Sequence, residues 1–161
     1  MSDIKKTNAM RLLDQAHISY EYYEYETTDG KIDAVSVAEK IGQEPEQVFK
    51  TLVTQSPSRE HFVFVIPSVS ELDLKLAAKA AKQKSIEMIP LKQLLGTTGY
   101  VHGGCSPVGM KKPFPTFIDE TALLYDKFCV SAGKVGLNLC LSPQALAQYL
   151  QAEFVELARF F

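Results

Sequence analysis

The sequence has few cysteines, little net charge and no hydrophobic stretch of the roughly 18 residues that a membrane-spanning helix needs. The three cysteines are odd in number and have no C-x-x-C spacing, which disfavours a disulfide framework and a structural zinc site. The first ten residues, MSDIKKTNAM, lack the apolar segment of a signal peptide. These absences predict a cytoplasmic protein that uses no metal, no cofactor and no membrane.

The charge balance excludes a protein that binds polyanions over its whole surface. The formal net charge is -2 and the sequence pI is about 5.9. Any nucleic-acid contact must therefore come from a local basic patch. With 161 residues, of which 46% are hydrophobic, the chain is long enough for one domain with a substantial core.

Local signals predict helices and strands along the whole chain. Thr7 and Ser142 stand where helix N-caps are preferred, and Ser70 and Asp73 have the spacing of a capping box before an Ala/Leu/Lys-rich helix. Helices and strands do not alternate regularly, so we expect a single compact α+β domain over residues 1–161, with a mixed, mainly antiparallel sheet and flanking helices. Runs of β-branched and aromatic residues predict the strands, among them QVFKTLVTQ, HFVFVIP, KFCVSAG and LNLCL.

The segment GYVHGGCSPVGMKKPFP, residues 99–115, holds four of the nine glycines and three of the eight prolines. Such a density predicts a loop. The adjacent Gly103 and Gly104 would let backbone N–H groups point at a ligand, which favours an anion or oxyanion site. The spacing is not that of a Walker phosphate loop.

Lys50 lies within the hydrophobic strand QVFKTLV, where a charged side chain is uncommon. One interpretation is an edge strand whose lysine reaches out to water. The other is a lysine at the floor of a pocket, holding an anionic or carbonyl oxygen.

Cys105 suggests a second kind of chemistry, because His102 is three residues away and could act as a base. Catalytic partners usually meet through the fold and not through sequence proximity, so a small packing residue is the alternative interpretation.

Basic residues cluster in two places. Lys75, Lys79 and Lys82 are spaced to form one stripe on a helix, and Lys111 and Lys112 follow the glycine-rich loop. Such lysines are usually a solvated face, and the alternative is a footprint for the phosphate backbone of a nucleic acid.

Five blocks of sequence are distinctive: KTL (50–52), ELDLKLAAKAA (71–81), TGYVHGGCSPVGMKK (98–112), PTFID (115–119) and VSAGKVGL (130–137). In composition and order they resemble the YbaK/EbsC family of aminoacyl-tRNA deacylases, which is related to the editing domain of bacterial prolyl-tRNA synthetases, and the resemblance covers nearly the whole chain. The resemblance implies hydrolysis of aminoacyl-tRNA, with Cys-tRNA(Pro) as the substrate of the YbaK branch, prolyl-tRNA synthetase as a candidate partner, and tRNA as the ligand of Lys75, Lys79, Lys82, Lys111 and Lys112.

The resemblance also assigns residues. The family's essential lysine falls on Lys50, and the family accepts apolar residues where this chain has Cys105. The segment GKIDAVSV lacks the phenylalanine that YbaK relatives often carry, which changes the expected pocket wall. The implied substrate-binding residues are Tyr25, Gly103, Gly104, Ser106, Pro107 and Ser131.

Several functions fit this pattern. In the Cys-specific branch the substrate's own thiol attacks its carbonyl, so no enzyme nucleophile is needed. The alternatives are a deacylase for Ala-, Ser- or Thr-charged tRNA, a thiol-dependent enzyme acting through Cys105, and a tRNA- or synthetase-binding module without turnover.

Overall fold

A computed structural model describes residues 4–160. None of the helices formed by these residues has the length and hydropathy of a membrane span. The helices are α1 (Asn8–Gln15), α2 (Ala34–Ile41), α3 (Leu74–Ala80), α4 (Leu94–Thr98) and α5 (Pro143–Leu150). The strands are β1 (Glu21–Glu24), β2 (Phe49–Gln55), β3 (His61–Pro67), β4 (Glu71–Leu72), β5 (Glu87–Met88), β6 (Thr116–Asp119), β7 (Phe128–Lys134), β8 (Leu137–Leu141), β9 (Glu153–Val155) and β10 (Ala158–Arg159).

The main sheet has five strands in the order β5-β2-β3-β6-β9. Strands β2 and β3 form an antiparallel hairpin, whereas β6 runs parallel to β3 and β9 parallel to β6. A second, antiparallel sheet has the order β1-β8-β7, and β10 pairs with β4. A parallel bridge between Val48 and Cys129 connects the two larger sheets. This architecture confirms the predicted α+β fold with a mixed, mainly antiparallel sheet.

Each face of the main sheet packs against a different part of the core. Phe49 and Val53 of β2 belong to a cluster that includes residues of α1 and α5. Phe64 and Ile66 of β3 belong to a cluster that includes residues of α3. Because Lys50 is opposite Ile66 in the hairpin register, Lys50 leaves β2 on the α3 side and Thr51 on the other side.

Two predicted helix starts are confirmed. Thr7 Oγ1 accepts a hydrogen bond from Met10 N at 3.2 Å, and Ser142 Oγ accepts one from Ala145 N at 3.2 Å. Pro143 occupies the first turn of α5, where its missing N–H costs nothing.

The predicted start of the third helix is wrong. Asp73 is the N-cap of α3 and accepts hydrogen bonds from the N–H groups of Lys75 and Leu76 at 3.0 and 3.1 Å. The preceding residues are extended because β4 pairs with β10. Ser70 Oγ instead donates to Pro67 O at 2.7 Å.

The predicted helical stripe of three lysines is also wrong in part. Helix α3 ends at Ala80, and Lys82 follows with a left-handed φ of 56°. Lys75 and Lys79 therefore share a helix, and Lys82 does not continue their stripe.

A disulfide bond joins Cys129 of β7 to Cys140 of β8, so the prediction against disulfide pairing is wrong for these two residues. They are directly opposite each other in the antiparallel register. Linear spacing does not reveal such a pair, because it depends on how two strands align. Cys105 remains a free thiol.

Candidate active site

The candidate active site is a cavity of about 550 Å³ beside β2. Its walls come from the residues after β1 and the start of α2, from β2, from α4 and the glycine-rich loop, and from the β7–β8 hairpin. Both polar and apolar side chains face it, as in most small-molecule sites.

The cavity lies along the unpaired edge of β2. Strand β5 pairs only with Thr54 and Gln55, so the earlier part of β2 has one open edge. Val48 O accepts a hydrogen bond from Ser68 N on the β3 side, and Val53 O accepts one from Ile89 N on the opposite side. By this alternation the peptide group of Thr51 faces the open edge, where the cavity is, whereas the bridge to Cys129 covers the edge beside Val48 and Phe49.

Lys50 is half-buried in this cavity. Burial lowers the pKa of its ammonium group, and the negative charge of Glu71 opposes that shift. Within residues 4–160 its side chain makes no hydrogen bond and no ion pair, whereas Lys6, Lys40 and Lys127 all do. The N–H donors of the Lys50 ammonium group are therefore available to a bound molecule.

The glycine-rich loop is fixed against the β7–β8 hairpin by Tyr100. The Tyr100 hydroxyl donates to Val108 O, and its ring lies so close to Gly133 that a Cβ there would be 2.8 Å from Cε1. Burial raises the pKa of Tyr100 to about 12, so the phenol stays protonated and can donate. In the loop held in this way, His102, Gly103 and Cys105 line the cavity.

The backbone donors of the loop differ from the predicted ones. The N–H of Gly104 donates to Val101 O at 3.0 Å and is not free for a ligand, which corrects the expectation for this residue. The N–H groups of Gly103 and Cys105 have no partner among the described residues, and both residues line the cavity. These two amides are the ones that could receive an oxyanion.

Gly104 is required for packing. A Cβ at this position would lie 2.9 Å from Val135 N and 3.1 Å from Lys134 C, which are backbone atoms and cannot rotate away. Gly104→Ala should destabilise the fold by about 1–3 kcal/mol through overpacking. Thermal unfolding measures this effect.

Gly96 in α4 provides the matched control, since a Cβ there meets nothing within 4 Å. Gly96→Ala should leave stability unchanged or raise it by about 0.5–1 kcal/mol, because alanine favours helix. Equal melting temperatures for the two variants would contradict the packing role of Gly104.

The structure brings four of the predicted residues to one cavity and leaves three outside it. Tyr25, Lys50, Gly103 and Ser131 line the cavity. Gly104 is buried against the hairpin, and Ser106 is fully buried with its Oγ accepting from Val108 N at 3.2 Å. Pro107 lines a separate groove next to α1 and α5. The last three support the loop and do not reach the cavity.

Sequence reasoning missed Asn138, which is opposite Ser131 in the β7–β8 register and also lines the cavity. Asn138 is only 5% exposed, so its amide is part of the cavity wall and not of the outer surface. Ser131 Oγ accepts from Gly133 N at 3.1 Å, which leaves its hydroxyl hydrogen available. The signal in the sequence was an asparagine inside the hydrophobic strand LNLCL. A buried amide normally needs a hydrogen-bond partner, so its presence there indicates a polar site next to the strand.

Cys105 is not arranged as a nucleophile. Burial raises the pKa of its thiol to about 12, so the thiolate is scarce near neutral pH. His102 also lines the cavity, but it makes no hydrogen bond to Cys105 in the part of the chain described. No group of three or more His, Cys, Asp or Glu residues within 4–160 could hold a metal ion.

None of the five lysines predicted to bind tRNA lines this cavity. Lys111 Nζ donates to Gly96 O at 3.2 Å, which places its charge beside α4. Lys75, Lys79, Lys82 and Lys112 are exposed. Their role in tRNA binding remains a prediction.

Comparison with known proteins defines the class. Residues 29–149 match the family model of the aminoacyl-tRNA editing domain. A curated relative from Enterococcus faecalis, named as a proposed Cys-tRNA(Pro)/Cys-tRNA(Cys) deacylase EbsC, is 46% identical over 153 residues, covering 95% of this chain and 93% of the relative.

Solved structures give the same fold. The crystal structure of a proposed trans-editing enzyme for prolyl-tRNA synthetase superposes with a TM-score of 0.82 at 22% identity, covering 96% of this chain and 99% of the other. A hypothetical protein superposes with a TM-score of 0.84 at 17% identity, with coverages of 92% and 97%.

Fold, cavity and family match together define an aminoacyl-tRNA editing domain. The chain belongs to the YbaK/EbsC family of aminoacyl-tRNA deacylases.

Proposed function

We propose that this protein hydrolyses Cys-tRNA(Pro) in trans, after a synthetase has released the mischarged tRNA. The main support is the name of the relative at 46% identity. The cavity agrees with that assignment, since its volume of about 550 Å³ lies within the usual range of small-molecule sites and would hold the aminoacyl-adenosine end of a tRNA.

The polar groups of the cavity suit an ester. Lys50 supplies N–H donors that position the ester or the neighbouring ribose oxygens. Attack on the ester places negative charge on its carbonyl oxygen, and the free N–H groups of Gly103 and Cys105 are the candidate oxyanion donors. Tyr25 and Ser131 line the same cavity and would hold the rest of the terminal nucleotide.

The substrate's thiol is the nucleophile in this proposal. Its sulfur attacks the ester carbonyl carbon, the carbon–oxygen bond to the ribose breaks, and the departing ribose oxygen takes up the thiol proton. A water molecule then opens the four-membered thiolactone to give free cysteine. The protein contributes by holding the thiol close to the carbonyl, which raises the effective concentration of the reacting groups.

The test is deacylation of purified Cys-tRNA(Pro), followed as release of free cysteine, with and without prolyl-tRNA synthetase. Hydrolysis above the spontaneous rate is expected, and a higher rate with the synthetase would identify that enzyme as a partner. Absence of turnover under both conditions would remove the proposal. Ala-, Ser- and Thr-charged tRNAs in parallel would identify one of the alternative substrates.

Binding of tRNA should be weak and sensitive to salt. With a net charge of -2, attraction to phosphate must come from a few exposed lysines. Each neutralised phosphate should contribute roughly -0.9 to the slope of log K against log salt on a duplex. Replacing Lys75, Lys79 and Lys82 by Gln should flatten the slope measured by fluorescence titration.

Lys6 and Lys127 are suitable controls for that experiment, because each is already paired with a carboxylate. Replacing these two by Gln should change the slope less. If both variants keep the wild-type slope, the predicted basic cluster is only a solvated face.

A further inference from the structure

One hydroxyl in the cavity wall is buried without a hydrogen-bond partner. Thr51 Oγ1 is the single such side-chain atom found among residues 4–160. By contrast, Thr54 of the same strand donates to Phe62 O at 2.9 Å, and Thr116 donates to Phe114 O at 3.0 Å. A buried polar group without a partner destabilises the folded state, so its presence calls for an explanation.

Thr51 lies on the apolar side of the cavity. Its side chain leaves β2 on the same face as Phe49, whereas Lys50 leaves on the opposite face. Leu94 and Cys105, which also line the cavity, pack against the core cluster that contains Phe49. Leu94, Cys105 and Thr51 are therefore the part of the cavity lining that belongs to this apolar side, called here the Thr51 subsite, and the Thr51 hydroxyl has no partner among the described residues.

The hydroxyl can reach a bound molecule. Thr51 as a whole is partly exposed and lines the cavity, although its hydroxyl oxygen is covered by neighbouring atoms. Rotation about the Cα–Cβ bond between staggered positions changes which substituent faces the cavity. A ligand with a suitable polar group would favour the rotamer that presents the hydroxyl.

We propose that Thr51 is a specificity-determining residue that hydrogen-bonds the polar side chain of the acyl amino acid, and so selects a cysteinyl over an alanyl group. This inference rests on the proposed function and specifies which end of the substrate meets which wall. The ester is held at Lys50 and the free loop amides, and the amino-acid side chain enters the subsite of Thr51, Leu94 and Cys105.

The selectivity follows from the cost of leaving the hydroxyl unpaired. A thiol or hydroxyl on the substrate can donate to Thr51 Oγ1 and accept from it, whereas the methyl group of alanine can do neither. A site built for a polar substrate group discriminates against the analogue that lacks it, because its own polar group then stays unsatisfied. The same contact orients the thiol for attack on the ester carbonyl.

The test measures binding without turnover. The probes are the amides of cysteine and of alanine with 3′-amino-3′-deoxyadenosine, in which an amide replaces the labile ester. Their dissociation constants are measured by calorimetry for the wild-type protein, Thr51→Val and Thr51→Ser. Valine keeps the shape of threonine without the hydroxyl, and serine keeps the hydroxyl without the methyl.

The wild-type protein should bind the cysteinyl amide about tenfold more tightly than the alanyl amide, as expected for one hydrogen bond. Thr51→Val should lose that preference by weakening only the cysteinyl amide, and Thr51→Ser should retain it. Thr51→Val should also melt at the same or a higher temperature than the wild type, since it removes an unpaired buried hydroxyl. A general loss of folding would instead weaken both ligands equally.

The outcomes separate this inference from the proposed function. If the wild type binds both amides and Thr51→Val leaves their ratio unchanged, the hydroxyl does not contact the side chain and the inference is wrong. If the wild type binds neither amide and clears no Cys-tRNA(Pro), the proposed function itself is wrong. A preference that is retained in Thr51→Ser and lost in Thr51→Val distinguishes a direct contact by the hydroxyl from a change in cavity shape.

Discussion

Lys50→Ala should lose about 100-fold or more of the deacylation rate, in line with the removal of one electrostatic group from a reaction site. Lys50 is half-buried in the cavity and makes no hydrogen bond or ion pair within residues 4–160, so its donors are free for the substrate. The measurement is kcat/KM on Cys-tRNA(Pro) under single-turnover and steady-state conditions.

Folding should not depend on this lysine. Burial lowers the pKa of Lys50, which means that the fold disfavours its charged form. Replacing it by alanine should therefore leave the melting temperature close to that of the wild type, or raise it slightly. Lys6→Ala is a suitable control, because Lys6 lies outside the cavity and is paired with Asp14, and this variant should retain the wild-type rate. Near-normal turnover in Lys50→Ala would exclude Lys50 from the mechanism.

Seryl-tRNA(Pro) should be hydrolysed far more slowly than cysteinyl-tRNA(Pro), although the two substrates differ only in oxygen for sulfur. A hydroxyl with an ordinary pKa is a poor nucleophile unless a base removes its proton. No Ser–His or Cys–His hydrogen bond is present in the described part of the chain. In the proposed mechanism the reaction therefore depends on a group that only the cysteinyl substrate supplies.

Cys105→Ala should keep most activity on Cys-tRNA(Pro), because the proposed nucleophile is the thiol of the substrate.

The pH dependence of the deacylation rate distinguishes the two possible nucleophiles, because burial raises the pKa of Cys105 to about 12. If Cys105 were the nucleophile, the rate would continue to rise with pH well above 9, because its thiolate forms only near pH 12. If the substrate thiol attacks, the rate should level off near the ordinary thiol pKa of about 8.5. Loss of activity in a folded Cys105→Ala protein, together with equal rates on both substrates, would overturn the substrate-thiol mechanism.

Local features of the fold were predictable because they depend on neighbours in sequence. Thr7 and Ser142 cap helices with their own side chains, and the β-branched run around Lys50 forms a strand. The capping box at Ser70 failed because β10, almost 90 residues later, pairs with β4 and keeps the chain extended. Pairing between distant strands is not visible in a local pattern.

The candidate site was predictable only where a motif marked it. Lys50 is conspicuous because a charge interrupts a hydrophobic strand. Asn138 and Thr51 carry no such mark, because the burial of Asn138 and the unpaired hydroxyl of Thr51 are visible only in the fold. Gly104 illustrates the opposite case, because a glycine pair indicates a free backbone but does not say whether its N–H is already bonded.

The bond between Cys129 and Cys140 has a consequence for how reproducibly the cavity forms. Side chains alternate along a strand, so a shift of one residue in the pairing of β7 with β8 would turn one strand over relative to the other, and Ser131 and Asn138 would no longer face the cavity together. These residues are two positions from the cysteines on the same face, and the irregular pairing of the hairpin begins only beyond Ser131. All molecules that have formed this bond therefore share one register between β7 and β8. In each of them Ser131 and Asn138 face the cavity.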